Sequence, residues 1–177
     1  NKFAKLIRKI LESSRVDSVS LDEELETIEL YMHIENIRFN ETVDFMINCA
    51  PNVNLKATRL PGLILQPFIE NALWHGLMHK QGDRKMKIEF RRVSEDIFRC
   101  IIDDNGIGRK QSFALKEQQS KAKRHESKGL KISKDRLTLL ERQGYHAGIE
   151  IIDKTDAAGN ALGTTVIIEL STFLKNI

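Results

Sequence analysis

The sequence contains little of what would place this chain outside the class of soluble folded domains. Its two cysteines, Cys49 and Cys100, are too few for a disulfide framework, and both lie in strand-like segments, so we expect buried thiols in a reducing compartment. Three prolines and the lack of low-complexity tracts argue against disorder. No run approaches the ~18 apolar residues that a membrane span needs. These absences leave a globular domain.

Size and composition agree with that interpretation. A chain of 177 residues suits one domain, and its 41% hydrophobic residues can supply a core while its 30% charged residues cover a polar surface. The sequence starts at Asn1 without an initiator methionine or a signal-like stretch. We therefore expect a fragment of a longer protein.

The positive charge is concentrated in one segment. Eight lysines and arginines fall within residues 109–131, against Glu117 and Glu126. Residues 109–128 read as a polar loop, which leaves a solvated loop, a nucleic-acid patch or a lid over phosphates as alternatives. With Phe113 as its one aromatic residue and no strong positive field elsewhere, nucleic-acid binding is the weakest of the three, and we expect no nucleic-acid partner.

Hydrophobic periodicity predicts alternating helices and strands. A capping box, Ser20 with Glu23, marks the start of a helix that runs to about Phe39. The predicted helices are 2–12, 21–39, 60–79 (beginning near Pro61) and 129–143, and the predicted strands are near 43–47, 86–93, 96–103, 149–154 and 164–170. This order predicts the α+β class, as a two-layer sandwich with a mixed, mostly antiparallel sheet and helices on one face.

The segment Asp104–Gly108, Asp-Asn-Gly-Ile-Gly, directly follows a strand-like run. A carboxylate at this point can accept a hydrogen bond from the amine edge of a ligand, and the glycines Gly106 and Gly108 permit close backbone approach. A simple strand-ending turn explains the same residues, because Asp-Asn-Gly is a strong turn signal.

A second group of polar residues lies on the predicted helix 60–79. Plotted at 100° per residue, Asn71 and His75 fall at the edge of the buried stripe, and Glu70 falls away from it. Asn71 could give an oxygen to Mg²⁺, which binds through few protein groups together with phosphates, or could be an ordinary surface residue. His75 could be a packed histidine rather than a ligand, and Glu70 could be a general base or a solvated charge.

In this order and spacing, the motifs resemble those of a known family. The chain resembles the catalytic, ATP-binding half of sensor histidine kinases, in the LytS/YehU-like branch with the GHKL (Bergerat) nucleotide fold. The matching segments are the incoming helix (20–39), an N box (Leu65–Gly76), a first glycine box (Asp104–Gly108), a second glycine box (Lys128–Ile132, with Arg136 and Leu137) and a closing strand (Gly163–Val166).

The resemblance implies roles for individual residues. Asn71 would ligate the Mg²⁺ that bridges the ATP phosphates, and Asp104 would accept a hydrogen bond from the adenine amino group, with Thr164 near that contact. The remaining residues would serve catalysis (Glu70, His75) or nucleotide binding (Gly106, Gly108, Gly129, Leu130), with 109–128 as the lid. Ser127 stands where the family usually has a glycine, and we expect a reshaped phosphate contact there.

The resemblance also implies a larger setting. Residues 1–39 would be the end of the dimerisation and phosphoacceptor helices with the connecting helix, and 40–177 the ATP-binding domain. The whole protein would be a membrane-anchored homodimer that serves a response regulator, with this part a cytoplasmic domain of an inner-membrane protein. No histidine of the chain (His33, His75, His79, His125, His146) has the phosphoacceptor context, so we expect nucleotide binding without autophosphorylation. The alternatives are a GHKL-type ATPase with Glu70 as base and a degenerate interaction module.

Overall fold

The computed structural model describes residues 1–40, 42–119 and 128–172. The helices are α1 (Lys2–Ser13), α2 (Leu21–Arg38), α3 (Gln66–Glu70), α4 (Gly108–Gln119) and α5 (Lys128–Arg142), and a π-helical segment (Asn71–Leu77) continues α3. The strands are β1 (Val19–Ser20), β2 (Val43–Cys49), β3 (Arg59–Leu60), β4 (Arg84–Arg92), β5 (Ile97–Asp104), β6 (Ala147–Thr155) and β7 (Ala161–Ser171).

Five of these strands form one sheet in the order β2-β4-β5-β7-β6, while β1 and β3 form a short separate pair. β2 runs parallel to β4, and the other neighbours in the sheet are antiparallel. Alternate side chains of the central strands are buried on the helix-covered face, for example Ile88 of β4, Cys100 of β5 and Ile168 of β7. This architecture confirms the predicted α+β sandwich with its mixed, mostly antiparallel sheet.

The opposite face of the sheet carries paired charges. Arg99 of β5 forms an ion pair with Glu169 of β7, which also lies 3.1 Å from His146 Nε2. Lys154 Nζ lies 2.7 Å from Asp103 Oδ1. Each of these partly exposed ion pairs contributes at most about 1 kcal/mol to stability. The stability of the sheet therefore comes mainly from the side chains buried on its helix-covered face.

The predicted capping box forms at the start of α2. Ser20 Oγ accepts the Glu23 N–H at 3.2 Å, and Glu23 Oε2 accepts the Ser20 N–H at 2.7 Å. α2 then buries Ile28 and Met32 in the same core as the sheet. α1 packs on α2 through Leu6, while its opposite face exposes the apolar residues Phe3, Ile7 and Leu11. The predicted domain boundary at residues 39–40 stays a prediction.

Three expectations from the sequence were wrong. The helix that was expected near Pro61 begins at Gln66, because residues 61–65 make a turn in which Leu63 has a positive φ. The expected loop 109–128 contains helix α4 up to Gln119, and residues 120–127 lie outside the described ranges. Cys100 is buried as expected, but Cys49 is exposed at the end of the edge strand β2.

Over the ranges that the structure describes, every helix is too short or too polar to cross a membrane.

Candidate functional site

A cleft opens between the helical layer and the ends of β5, β6 and β7. The π-helical segment forms one wall, the start of α4 forms another, and α5 closes the third side. The lining residues are Phe68, Asn71, Ala72, His75, Gly76, Asp104, Gly108, Arg109, Ser112, Phe113, Leu130, Lys134, Ile151, Thr164 and Val166. Six of the nine residues predicted to form the site lie here, so segments separated by up to 93 positions (Asn71 to Thr164) meet in one cleft.

Asp104 is the buried acid of this cleft. It is the last residue of β5, it pairs in register with Thr164 of β7, and only 3% of its surface is exposed. Its Oδ1 accepts the Gly106 N–H at 2.7 Å. Burial raises the pKa of Asp104 to about 6, although the N–H groups of Gly106 and Thr164 and the charge of Lys154 act in the opposite direction. A ligand that donates a hydrogen bond to this carboxylate would stabilise its ionised form.

The π-helical segment explains how Asn71 and His75 reach the cleft together. The Met78 N–H bonds to Leu73 O at 2.8 Å, five residues earlier, so each turn is wider than an α-helical turn. Because of this wider turn, Asn71 and His75 both face the cleft, together with Ala72 and Gly76. The spacing of a regular α-helix predicts only that Asn71 and His75 lie at the edge of the buried stripe. Such π-helical turns occur frequently at functional sites.

The amide of Asn71 has a fixed orientation. Its Nδ2 donates to Pro67 O at 2.6 Å, which points Oδ1 away from that carbonyl. Within the described ranges there is no cluster of three or more acidic, histidine or cysteine side chains that could hold a metal ion. The described residues therefore do not fit a metal cage made of protein groups alone, whereas an amide oxygen such as Asn71 Oδ1 is a donor that Mg²⁺ accepts beside the oxygens of a ligand.

Gly76 and Gly106 permit two segments of backbone to touch. A Cβ atom on Gly106 would lie 2.4 Å from the Gly76 carbonyl carbon, and a Cβ atom on Gly76 would lie 2.9 Å from Asp104 Oδ1. The Ile107 N–H bonds to Gly76 O at 3.1 Å across this contact. Gly106 therefore serves the packing of β5 against the π-helical segment and does not itself line the cleft. Gly129 also lies outside the lining, next to Pro67.

Glu70 lies on the other side of α3. It bonds to Gln66 Nε2 at 3.3 Å, and it is only partly exposed. Burial raises the pKa of Glu70, and the nearby carboxylate of Glu35 on α2 raises it further. The residue is absent from the lining of the cleft, so the structure separates it from Asn71 and Asp104.

Two cationic residues that the sequence did not single out also line the cleft. Arg109 stands at the start of α4 and makes two hydrogen bonds to Asp153 of β6, at 2.8 and 2.7 Å. Lys134 lies on α5, one turn after Leu130. No local signal marks either residue, because Arg109 is one of the eight cations within residues 109–131 and Lys134 follows three residues after Lys131.

Comparisons with known proteins agree with the architecture. The family model described as Histidine kinase matches residues 1–43. The chain is 28% identical over 161 residues to sensor protein kinase HptS of Staphylococcus aureus (strain bovine RF122 / ET3-1), covering 90% of this chain and 29% of HptS. The chain spans well under half the length of the curated relatives that it matches.

Two solved structures share the fold. The catalytic domain of histidine kinase ThkA superposes with a TM-score of 0.54 at 14% identity, covering 89% of this chain and 97% of that domain. ThkA in complex with response regulator protein TrrA gives a TM-score of 0.56 at 17% identity, covering 97% of this chain and 47% of the ThkA chain. The chain has the fold of histidine kinase catalytic domains, and its first 43 residues match the histidine kinase family.

Proposed function

We propose that this chain is the ATP-binding catalytic domain of a two-component sensor histidine kinase of the LytS/YehU-like branch. It binds Mg-ATP and transfers the γ-phosphoryl group to a histidine outside the chain. The observation that carries the proposal is a buried carboxylate, Asp104, in a cleft whose facing helix presents Asn71. This arrangement suits a ligand with an amine at one end and a metal-bound anion at the other.

Each end of the cleft has a chemical task in this proposal. Asp104 accepts a hydrogen bond from the 6-amino group of adenine, beside Thr164, and Ile151 and Val166 offer apolar surface to the ring. Asn71 holds Mg²⁺, which supplies charge neutralisation to the phosphates when bound. His75 and Lys134 line the same cleft and would meet phosphate oxygens, with Leu130 one turn before Lys134 on α5, while Arg109 is held by Asp153 beside Thr164. Catalysis of phosphoryl transfer is mostly such positioning and charge stabilisation.

The glycines of the proposed site act in two ways. Gly108, with φ +76, turns the chain into α4 at the cleft, where a Cβ atom would lie 2.9 Å from the Ala161 Cβ. Gly106 keeps Asp104 in place through its contact with Gly76. Gly129 opens α5 near Pro67, and we propose that its backbone approaches the phosphates when nucleotide is bound.

The position of Glu70 bears on the kinase and on the alternative hydrolase alike. A GHKL-type ATPase would use Glu70 to activate water at the γ-phosphate, but Glu70 lies toward α2 and outside the cleft lining. We therefore propose that Glu70 reaches the phosphates, in a kinase or in a hydrolase, only after a rearrangement of α3, and the phosphotransfer test below separates the two enzymes.

The proposed partners follow from the resemblance and from ThkA. ThkA has been solved in complex with a response regulator, and we propose a response regulator as the downstream partner here. We further propose a homodimer in the whole protein, a membrane anchor outside this chain and a cytoplasmic location for this part.

Phosphotransfer in the longer protein tests the proposal. With radiolabelled ATP and Mg²⁺, we expect acid-labile, base-stable label on the longer protein and none on the histidines of this chain alone. Asn71→Ala should reduce that label about 100-fold or more, because a metal ligand supports several kcal/mol of charge stabilisation. Asn48→Ala, at an exposed position of β2, is the matched control and should retain the label.

Three outcomes would contradict the proposal. Label on any histidine of the isolated chain would show a phosphoacceptor inside it. Steady ATP hydrolysis that Glu70→Ala abolishes, with no phosphohistidine in the longer protein, would favour the hydrolase. No effect of millimolar nucleotide on thermal stability would favour an interaction module.

A further inference from the structure

The loop Pro61–Leu65, which leads into α3, is contacted by three other helices. From α5, Arg136 Nη1 donates to Gly62 O at 2.8 Å. From α2, Glu24 Oε2 accepts the Leu63 N–H at 3.0 Å. At the end of α1, the carbonyl oxygen of Ser13 lies so close that a Cβ atom on Gly62 would be 2.8 Å from it.

This loop determines where α3 begins. Leu65 flanks the first residue of α3, and its carbonyl oxygen accepts the N–H groups of Phe68 and Ile69 at 3.1 and 3.3 Å. Leu63 has a φ of +60, a left-handed conformation that is unfavourable for leucine and persists only where the surroundings hold it. The hydrogen bond from Leu63 to Glu24 is directly at that residue, so it helps to hold the unfavourable backbone.

Glu24 is an unusual residue for its place in the core. It is only 1% exposed, and burial raises its pKa to about 7, while the N–H groups of Leu63 and Leu65 and the charge of Arg136 act in the opposite direction. Burial raises the pKa of the Cys100 thiol on β5, and the charge of Glu24 raises it further. A buried carboxyl group is costly unless it is bonded, and packing alone would be served better by an apolar side chain.

We propose that Glu24 is a positioning residue of the cleft, which holds the loop Pro61–Leu65 opposite Arg136 and so sets where α3 places Asn71 relative to α5. The proposal rests on the proposed function, because it assigns Glu24 to the nucleotide cleft. A displacement of α1 would then reach the loop in two ways, through α2, on which α1 packs, and through Ser13, which touches Gly62 directly.

Two substitutions at Glu24 separate the hydrogen bond from the packing. Glu24→Gln retains an oxygen that can accept the Leu63 N–H, whereas Glu24→Met retains the length of the side chain and removes the acceptor. In calorimetric titrations, we expect the Met variant to bind ADP about 10-fold more weakly than the native chain, an effect of the size seen when a substitution is coupled to a distant site. The affinity of the Gln variant for ADP should remain within about threefold of that of the native chain. Glu29→Met, at an exposed position of α2, is the control and should bind as the native chain does.

Trp74 gives a second readout that needs no nucleotide. It is the one tryptophan of the chain, it lies on the π-helical segment, and its ring packs 5.5 Å from that of Phe39 on the far side from the cleft. If loss of the Glu24 acceptor displaces α3, the fluorescence emission of Trp74 shifts in the Met variant and not in the Gln variant. Arg136→Met, which frees the same loop from α5, should reproduce the loss of ADP affinity and carries the test if Glu24→Met fails to fold.

The results that would overturn the proposal are specific. A Met variant that is less stable but folded, with native ADP affinity and native Trp74 emission, would show that Glu24 has only a structural role. Equal loss of ADP affinity in the Gln and Met variants would show that the acceptor is not what matters. If the native chain does not bind ADP, the proposed function fails, and the Trp74 emission of the variants still decides whether Glu24 positions α3.

Discussion

Asp104→Asn is expected to weaken ADP binding about 10- to 100-fold, since a hydrogen bond to a charged group contributes roughly 1.5–3 kcal/mol. The asparagine oxygen can still accept the Gly106 N–H that Asp104 Oδ1 accepts at 2.7 Å, so the turn should keep its shape. Its amide nitrogen would then face the adenine amino group, and two donors would meet. Calorimetric titration of ADP into both proteins at pH 8 measures the difference.

The protonation of Asp104 provides the control for that result. Because its pKa is about 6 in the protein without ligand, the native carboxyl group must be ionised at a cost when ADP binds below that pH. The ratio of native to variant affinity should therefore be about tenfold smaller at pH 5 than at pH 8. Asp103→Asn, on the outer face of the sheet, should bind ADP like the native chain. A ratio that stays constant between pH 5 and pH 8 would contradict the assignment of Asp104.

Gly163→Ala is expected to lower the free energy of unfolding by more than about 4 kcal/mol, among the largest effects of any single substitution. Gly163 has a φ of +122, and a Cβ atom there would lie 2.0 Å from Asp104 O and 2.8 Å from Asn105 Cα. Neither contact can relax by moving a flexible side chain, since both atoms belong to the backbone that carries Asp104. Urea unfolding followed by circular dichroism measures the loss.

Gly159→Ala separates the backbone conformation from the steric clash. Gly159 also has a positive φ, +85, but a Cβ atom at that position would have no neighbour within 4 Å. Its replacement should cost about 1–2 kcal/mol, the usual cost of a left-handed conformation in a residue with a Cβ atom. Equal losses in the two variants would show that the close approach of β7 to Asp104 is not needed for stability.

The parts of the fold that local chemistry determines could be predicted from the sequence. The start of α2 was predictable because Ser20 and Glu23 satisfy each other's backbone groups within one turn. The hairpins were predictable because the strands alternate and turn residues separate them. The order and spacing of the motifs predicted that Asn71, Asp104 and Thr164 would lie in one cleft. The roles of these residues stay predictions until ligand binding is measured.

The remaining features depend on tertiary contacts. The π-helical turn lies where Gly76 touches the backbone at Gly106, and the sequence of residues 71–77 does not signal that contact. The sequence of α4 predicts a loop because its apolar positions show no clear stripe, although its residues are mostly good helix formers. The burial of Glu24 follows from the position of the loop that contains Leu63, 39 residues away.

The central claim is that Asp104 recognises the amino group of adenine, and comparison of ADP with IDP on the native chain tests it most directly. IDP differs in the base, where a carbonyl oxygen replaces the 6-amino group. At pH 8, calorimetric titration should show ADP binding at least about 10-fold tighter than IDP, because the ionised carboxylate would face an acceptor in IDP. Equal affinities for ADP and IDP would contradict the claim and would remove the cleft's assignment as an adenine site.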